Sequence, residues 1–188
     1  NRRYIAAVNE TAADMAIKAA NRLFDCGEVN RNEIDYLLFC TQSPDYILPT
    51  SACIIQDKLG LRKDIGALDF NLGCSGYVYG LSLAKGLICG GIAKNVLLLT
   101  GETYNKHLHL RDKGNRTIFG DAASATVIST SGIARIGNFS LGTDGSGAGN
   151  LIITSGGMRC PEKQNDLSFD ENNNCLLYTS PSPRDTER

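Results

Sequence analysis

The stretch IGALDFNLGCSGYVYGLSLAKGLICG, residues 65–90, joins a strand-like run directly to a helix-length segment. Residues 65–70 have the length and composition of a β-strand. Residues 74–90 form the predicted helix, and Lys85 is its one charged side chain. A helix without a hydrophilic face must be covered on several sides. Its glycines lower helix propensity by roughly 1 kcal/mol each relative to alanine, so they indicate close packing. The stretch therefore predicts a helix buried between two sheets.

Strands and helices alternate on both sides of this stretch. Residues 10–26 have charged side chains at spacings of three and four, which predicts an amphipathic helix. Thr50 is placed to cap a short helix that ends near Gly60. Further strand-like runs are residues 34–40, 95–100, 122–129 and 134–141. This alternation is typical of an α/β protein with a mostly parallel sheet.

Composition excludes several classes of protein. The chain has 188 residues, of which 42% are hydrophobic, and its net charge is −1. These proportions are those of a globular protein with a buried core. A near-neutral chain is not typical of proteins built mainly to bind nucleic acid or anionic membranes. No apolar run approaches eighteen residues, so no transmembrane helix is predicted.

The cysteines and histidines predict neither disulfides nor a metal site. The seven cysteines are an odd number, and no two have C-x-x-C spacing. With only His107 and His109 to assist them, no metal-ligand pattern is present. This usage predicts a reduced, cytoplasmic protein in which most cysteines are small buried hydrophobic residues. The seven positions are Cys26, Cys40, Cys53, Cys74, Cys89, Cys160 and Cys175.

Cys74 differs from the other cysteines because it lies at the junction between the predicted strand 65–70 and the predicted helix. The free N–H groups at a helix N-terminus stabilise a thiolate and can also hold the oxyanion of a thioester adduct. Position alone leaves two interpretations open. One is a reactive nucleophile, and the other is a small buried cysteine in a tight turn.

An ordered set of motifs around Cys74 resembles the β-ketoacyl-acyl-carrier-protein synthase III family of the thiolase superfamily. The resemblance covers residues 2–160. The motifs are Arg3-Tyr4-Ile5-Ala6-Ala7, Asn9-Glu10-Thr11, Pro44-Asp45-Tyr46, Pro49-Thr50-Ser51-Ala52-Cys53, residues 71–81, Gly101-Glu102-Thr103, Asp112-Lys113-Gly114, Phe119-Gly120-Asp121, Thr143-Asp144-Gly145-Ser146-Gly147 and Gly156-Gly157-Met158-Arg159.

The resemblance implies a thiolase-like α/β half-domain and an acyltransferase activity. Cys74 would accept an acyl group from acyl-CoA as a thioester, and malonyl-acyl-carrier protein would then decarboxylate and attack it. The product would be 3-oxoacyl-acyl-carrier protein, at the start of fatty acid synthesis. No bound cofactor or metal is implied. A homodimer is expected of the full-length form. The family completes its site with a His and an Asn from its second half, which His107 and His109 do not match.

Two further positions carry roles by resemblance alone. Lys113 falls where the family usually has an arginine that contacts the CoA nucleotide. With Arg111 and Arg116 it makes a basic loop, which is equally typical of a solvated surface. Leu48 falls where relatives place a bulky residue that reaches the acyl pocket of the partner subunit. A non-aromatic residue there leaves the acyl preference open.

The ends of the chain predict a fragment. The first residues lack Met, and the resemblance places the family's first strand, at the centre of its half-sheet, upstream of Asn1. We expect residues 1–160 to form the half-domain and residues 161–188 to be loop or disordered tail. Within that tail, residues 175–188 resemble a translated sequencing adapter. We expect the chain by itself to be inactive and poorly stable. Two alternatives stay open: a related condensing or acyl-transferring enzyme of secondary metabolism, and a non-catalytic dimerising half-domain.

Overall fold

The computed structural model describes residues 3–108, 112–153, 156–161 and 176–178. Two compact units are present: one comprises residues 3–103 and 120–139, and the other takes the described residues of 104–119 and from 140 onward. The helices of the described residues are α1 Ala12–Asp25, α2 Ser51–Lys58, α3 Gly76–Cys89 and α4 Lys113–Ile118. The strands are β1 Tyr36–Cys40, β2 Gly66–Phe70, β3 Asn95–Glu102, β4 Ala122–Ser129, β5 Leu151–Ile153 and β6 Leu176–Tyr178.

The first unit contains a four-stranded sheet of order β2-β1-β3-β4. β1 runs parallel to β2 and β3, whereas β4 is antiparallel to β3. The α/β class and the mostly parallel sheet are therefore confirmed. Within this chain β1 pairs directly with β3, from Tyr36 opposite Val96 to Cys40 opposite Thr100.

The side chains of β1 and β3 are buried on both faces of the sheet, as their continuous apolar runs predict. One face packs against α1 and α2 through Leu37, Phe39, Leu97 and Leu99. The opposite face packs against α3 through Leu38, Val96 and Leu98. The first unit is thus a helix–sheet–helix sandwich, in which α1 and α2 cover one face of the sheet and α3 covers the other.

The first two helices begin in different ways. Thr11 and Asp14 form a capping box at the start of α1, each side chain accepting the backbone N–H of the other. Thr50 is the N-cap residue of α2, but its side chain makes no capping hydrogen bond. The carboxylate of Asp69 on β2 does so instead, accepting from the N–H groups of Ser51 and Ala52, both at 2.7 Å. The predicted Thr50 cap is therefore wrong, because a neighbouring strand supplies the stronger, charged acceptor.

The predicted strand at residues 134–141 is not present. The ammonium group of Lys85, on α3, donates to the carbonyls of Ile136 and Gly137 at 3.0 and 2.7 Å. It also lies 5.8 Å from the centroid of the Phe139 ring. Backbone acceptors that a strand would use for a ladder are thus bound to a side chain.

The second unit contains α4 and an antiparallel pair of β5 and β6. β6 lies in the tail where the sequence predicts loop or disorder, so that prediction differs from the structure at Leu176–Tyr178. The remaining tail residues, 162–175 and 179–188, lie outside the described residues. No helix in the described part of the chain is long and apolar enough to cross a membrane.

Candidate active site

Cys74 lies in the turn between β2 and α3, and its side chain is exposed. The alternative of a buried structural cysteine is therefore wrong for the described residues. The helix begins two residues later at Gly76, whose N–H donates to the carbonyl of Gly73 at 2.8 Å. Ser75 is the N-cap residue but its side chain forms no cap, and the first turn of α3 has no acidic residue. The N-terminal N–H groups of α3 thus meet no capping side chain.

The turn stands at the edge of the sheet where the parallel strands end. β1 and β2 end at the paired residues Cys40 and Phe70, and the N–H of Thr41 donates to the carbonyl of Phe70 at 3.2 Å. In parallel sheets, loops beyond the carboxyl ends of the strands carry the functional side chains. The position of Cys74 is therefore set by the backbone pairing between β2, the strand that precedes it, and β1.

The outer face of α3 is apolar and exposed in this chain. Tyr77, Val78 and Leu83 are 42%, 47% and 43% exposed, whereas the helix is buried at Gly76, Gly80 and Ala84. Among the described residues α3 is therefore covered by the sheet on one side only, and the predicted burial between two sheets is not observed on its outer side. A surface of this kind is typical of a site that another segment or partner covers.

Cys40 lies under the turn, a position that its sequence neighbours did not reveal. Its thiol donates to the carbonyl of Leu72 at 3.1 Å, and the residue is 4% exposed. Burial raises the pKa of the Cys40 thiol to about 11, so it stays protonated and acts as a donor. The sequence signal for this position was that Cys40 ends the predicted strand 34–40, because the carboxyl ends of adjacent parallel strands lie at the same edge of the sheet.

The side chain of Glu102 binds the loop that follows β1. Its carboxylate accepts from the N–H of Gln42 at 2.7 Å and from the hydroxyl of Ser43 at 2.9 Å. Burial raises the pKa of Glu102, and the nearby charge of Asp121 acts in the same direction. Sequence reasoning singled out Glu102 only as part of a motif. The structure gives it a positioning role at the carboxyl edge of the sheet.

Leu48 lies in the loop between β1 and α2 and is 84% exposed. Tyr46 and Ile47 beside it are also exposed, and the Leu48–Pro49 peptide bond is cis. The loop therefore presents three consecutive large apolar side chains on the surface. The predicted role of Leu48 at an acyl pocket stays a prediction.

Lys113 is the first residue of α4 in the second unit, and its side chain is exposed. Asp112 caps this short helix by accepting from the N–H of Asn115 at 3.0 Å. Arg111 and His109 lie outside the described residues. His107 follows the 3-10 helix Tyr104–Lys106, and its N–H donates to the carbonyl of Tyr104.

The other cysteines are more exposed than the sequence predicts. Cys26, Cys53 and Cys89 are exposed, and Cys40 is the one buried cysteine among the described residues. The prediction of mostly buried cysteines is therefore wrong, because the three exposed ones lie at the end or on the outer face of a helix. No group of three or more His, Cys, Asp or Glu side chains suited to a metal ion occurs among the described residues.

Comparison with known proteins finds similarity to one family. A sequence profile described as 3-oxoacyl-[acyl-carrier-protein (ACP)] synthase III matches residues 68–145. The chain is 39% identical, over 161 residues, to the beta-ketoacyl-[acyl-carrier-protein] synthase III of Chlamydia caviae, covering 85% of this chain and 48% of that protein.

Solved structures agree with the sequence matches. A crystal structure of a 3-oxoacyl-(acyl-carrier-protein) synthase III is 52% identical with a TM-score of 0.86, covering 94% of this chain and 55% of the other. A second, from Burkholderia xenovorans LB400, is 38% identical with a TM-score of 0.80, covering 95% and 51%. The chain thus spans about half the length of the relatives it matches. By sequence and by its thiolase-like fold, this chain resembles one half of the 3-oxoacyl-[acyl-carrier-protein] synthase III proteins.

Proposed function

We propose that this chain supplies the nucleophile of a condensing acyltransferase, and that Cys74 is the residue that becomes acylated. The observation that carries this proposal is the exposed Cys74 thiol immediately before the uncapped N-terminus of α3. The N–H groups there can donate to the oxyanion of a thioester adduct. The names of the relatives support the same reaction class.

The proposed reaction has two steps. The Cys74 thiolate attacks the carbonyl of acyl-CoA, an S–C bond to Cys74 forms, and CoA leaves as a thiol with the proton that Cys74 released. Malonyl-acyl-carrier protein then loses CO2, and its carbanion attacks the acyl-Cys74 carbonyl. A C–C bond forms, Cys74 leaves as thiolate, and 3-oxoacyl-acyl-carrier protein is released. Covalent catalysis divides one difficult condensation into two easier steps.

The remaining parts of the proposal concern binding. Lys113 contacts a phosphate of acyl-CoA, which an exposed ammonium at the surface can reach. Leu48 enters the acyl pocket of a partner subunit in a homodimer, which would cover the exposed apolar side chains of its loop. The acyl substrate and the carrier protein are the partners, and the reaction needs neither a bound cofactor nor a metal.

Mass spectrometry tests the first step. The protein expressed from its complete reading frame is incubated with acetyl-CoA, and the adduct is located by peptide mapping. We expect one acetyl group on Cys74 and none in Cys74→Ala. Cys53→Ala is the matched control, because Cys53 is also an exposed cysteine on a helix of the first unit. An adduct that persists in Cys74→Ala would refute the proposal.

The second step separates the alternatives. Malonyl-acyl-carrier protein added to the acylated protein should release CO2 and give the 3-oxoacyl product. Transfer of the acyl group to another acceptor without CO2 would indicate the related enzyme of secondary metabolism. A protein that dimerises and never acquires an acyl group would be the non-catalytic half-domain.

Lys113→Gln should raise the KM for acyl-CoA and leave kcat unchanged, with Lys63→Gln as the exposed control.

A further inference from the structure

We propose that Cys40 is a positioning residue for the Cys74 turn, and that it acts through the fit of its side chain against Leu72 and Gly76. This inference rests on the proposed acylation of Cys74. It gives a second cysteine of the same site a different role, because Cys40 does not touch the substrate. Instead, Cys40 fixes where the nucleophile and the helix N-terminus stand.

The first contact is a hydrogen bond to the residue two before Cys74. The Cys40 thiol donates to the carbonyl of Leu72 at 3.1 Å. Because the group is buried and its pKa is raised to about 11, it remains a donor across the physiological range. A thiol donor is individually weak, but its loss would leave the partly buried carbonyl of Leu72 without this hydrogen bond.

The second contact is steric and lies two residues after Cys74. A Cβ added to Gly76 would stand 2.3 Å from the Cys40 sulfur and 3.9 Å from the Cys40 Cβ. Gly76 belongs to α3 and is not among the glycines with positive φ, so space is the reason for glycine there. The sulfur atom therefore lies against the first residue of the helix.

The two contacts together hold the turn at both ends. Cys40 is itself fixed, because it ends β1 and pairs with Phe70 on one side and Thr100 on the other. In addition to strand pairing, a buried sulfur that contacts both ends of the turn thus helps to set the position of the exposed Cys74. Displacement of a reacting group by about 1 Å can reduce a rate up to roughly 100-fold.

The test uses four variants in the protein expressed from its complete reading frame: Cys40→Ala, Cys40→Ser, Gly76→Ala and the double variant Cys40→Ala/Gly76→Ala. Cys89→Ala is the control, because Cys89 is exposed at the far end of the same helix. The readouts are the single-turnover rate of Cys74 acylation, the Kd for acetyl-CoA, and the rate of Cys74 alkylation by iodoacetamide.

We expect Cys40→Ala to slow acylation about tenfold with an unchanged Kd, as displacement of a bound nucleophile does. Cys40→Ser should stay within about twofold of wild type, since its hydroxyl can donate to the same carbonyl. Gly76→Ala should lose most acylation. The double variant should recover part of that loss, because its two Cβ atoms would lie at the ordinary distance of 3.9 Å.

Two results would overturn the inference. One is wild-type acylation and alkylation rates in Cys40→Ala. The other is a double variant that is no faster than Gly76→Ala, which would mean that the two sites are independent. If the wild-type protein forms no acyl adduct, the proposed function fails by itself. Alkylation of Cys74 then still reports whether Cys40 holds the turn, and an unchanged rate in Cys40→Ala refutes the positioning role.

Discussion

Two glycines of α3 provide a prediction in which the same substitution has opposite effects. A Cβ added to Gly80 would stand 2.6 Å from Cδ1 of Leu98 and 3.2 Å from Cζ of Phe70. Leu98 is 1% exposed and has little room to move. A Cβ added to Gly86 would meet nothing within 4 Å. The close packing that the sequence suggested for every glycine of this helix therefore holds at Gly80 and not at Gly86.

The magnitudes follow from two competing terms. Alanine in place of glycine within a helix gains about 1 kcal/mol. Overpacking a close-packed core costs about 1–3 kcal/mol. Gly80→Ala experiences both terms, so its net cost is about 1 kcal/mol. Gly86→Ala experiences the first alone and gains about 0.5–1 kcal/mol. A change of 1 kcal/mol shifts the melting temperature by about 2–4 °C in a protein of 150–250 residues, and by less in a longer protein.

Thermal melts followed by circular dichroism measure both variants against wild type, in the protein expressed from its complete reading frame. We expect Gly80→Ala to melt lower and Gly86→Ala to melt higher. Adding Leu98→Val to Gly80→Ala removes the colliding Cδ atoms, so the two changes together should cost less than the sum of the single costs. Equal stabilisation by Gly80→Ala and Gly86→Ala would refute the reasoning.

Three further predictions concern charge and exposure. Asp35→Asn should lower the free energy of unfolding at pH 7 by about 1–3 kcal/mol, because the Asp35 carboxylate accepts from the N–H groups of Lys94 and Asn95. These bonds lower the pKa of Asp35, so in melts at stepped pH the wild-type advantage should fade as pH falls through that pKa; a constant difference would contradict this. Glu102→Gln should gain stability relative to wild type as pH rises from 4 to 7, since burial raises the pKa of Glu102 and favours its protonated form; an opposite slope would exclude a desolvated carboxylate. The 188-residue chain alone should show no cooperative melt and no condensing turnover, because the apolar outer face of α3 meets water, and a sharp calorimetric transition would disprove this.

Local pattern was sufficient where neighbours in sequence decide the structure. The charge spacing of residues 10–26 predicted α1, and apolar runs predicted β1 to β4 close to their observed limits. The nucleophile candidate followed from the same level of information, since Cys74 lies directly between a strand and a helix. In each case the periodicity of burial is set by residues within a turn or two of one another.

The sequence pattern gave wrong predictions where a side chain distant in sequence forms hydrogen bonds with backbone groups. Residues 134–141 have a strand-like composition, yet Lys85 binds two of their carbonyls from 51 and 52 residues away. Thr50 is a good capping residue, yet Asp69 caps α2 from another strand. Propensity describes the local preference of a segment, and a charged acceptor or donor brought close by the fold can outweigh it.

The sequence by itself determined the α/β class, the succession of elements and the prominence of Cys74, because these depend on hydrophobic period and on adjacency along the chain. Only the tertiary structure decided that β1 pairs directly with β3, and that Cys40 lies beneath the turn with its thiol against the carbonyl of a residue 32 positions away. Strand order and contacts between strand ends depend on which distant segments meet. The local hydrophobic pattern does not determine which strands pair, because many pairings are compatible with the same alternation of apolar side chains.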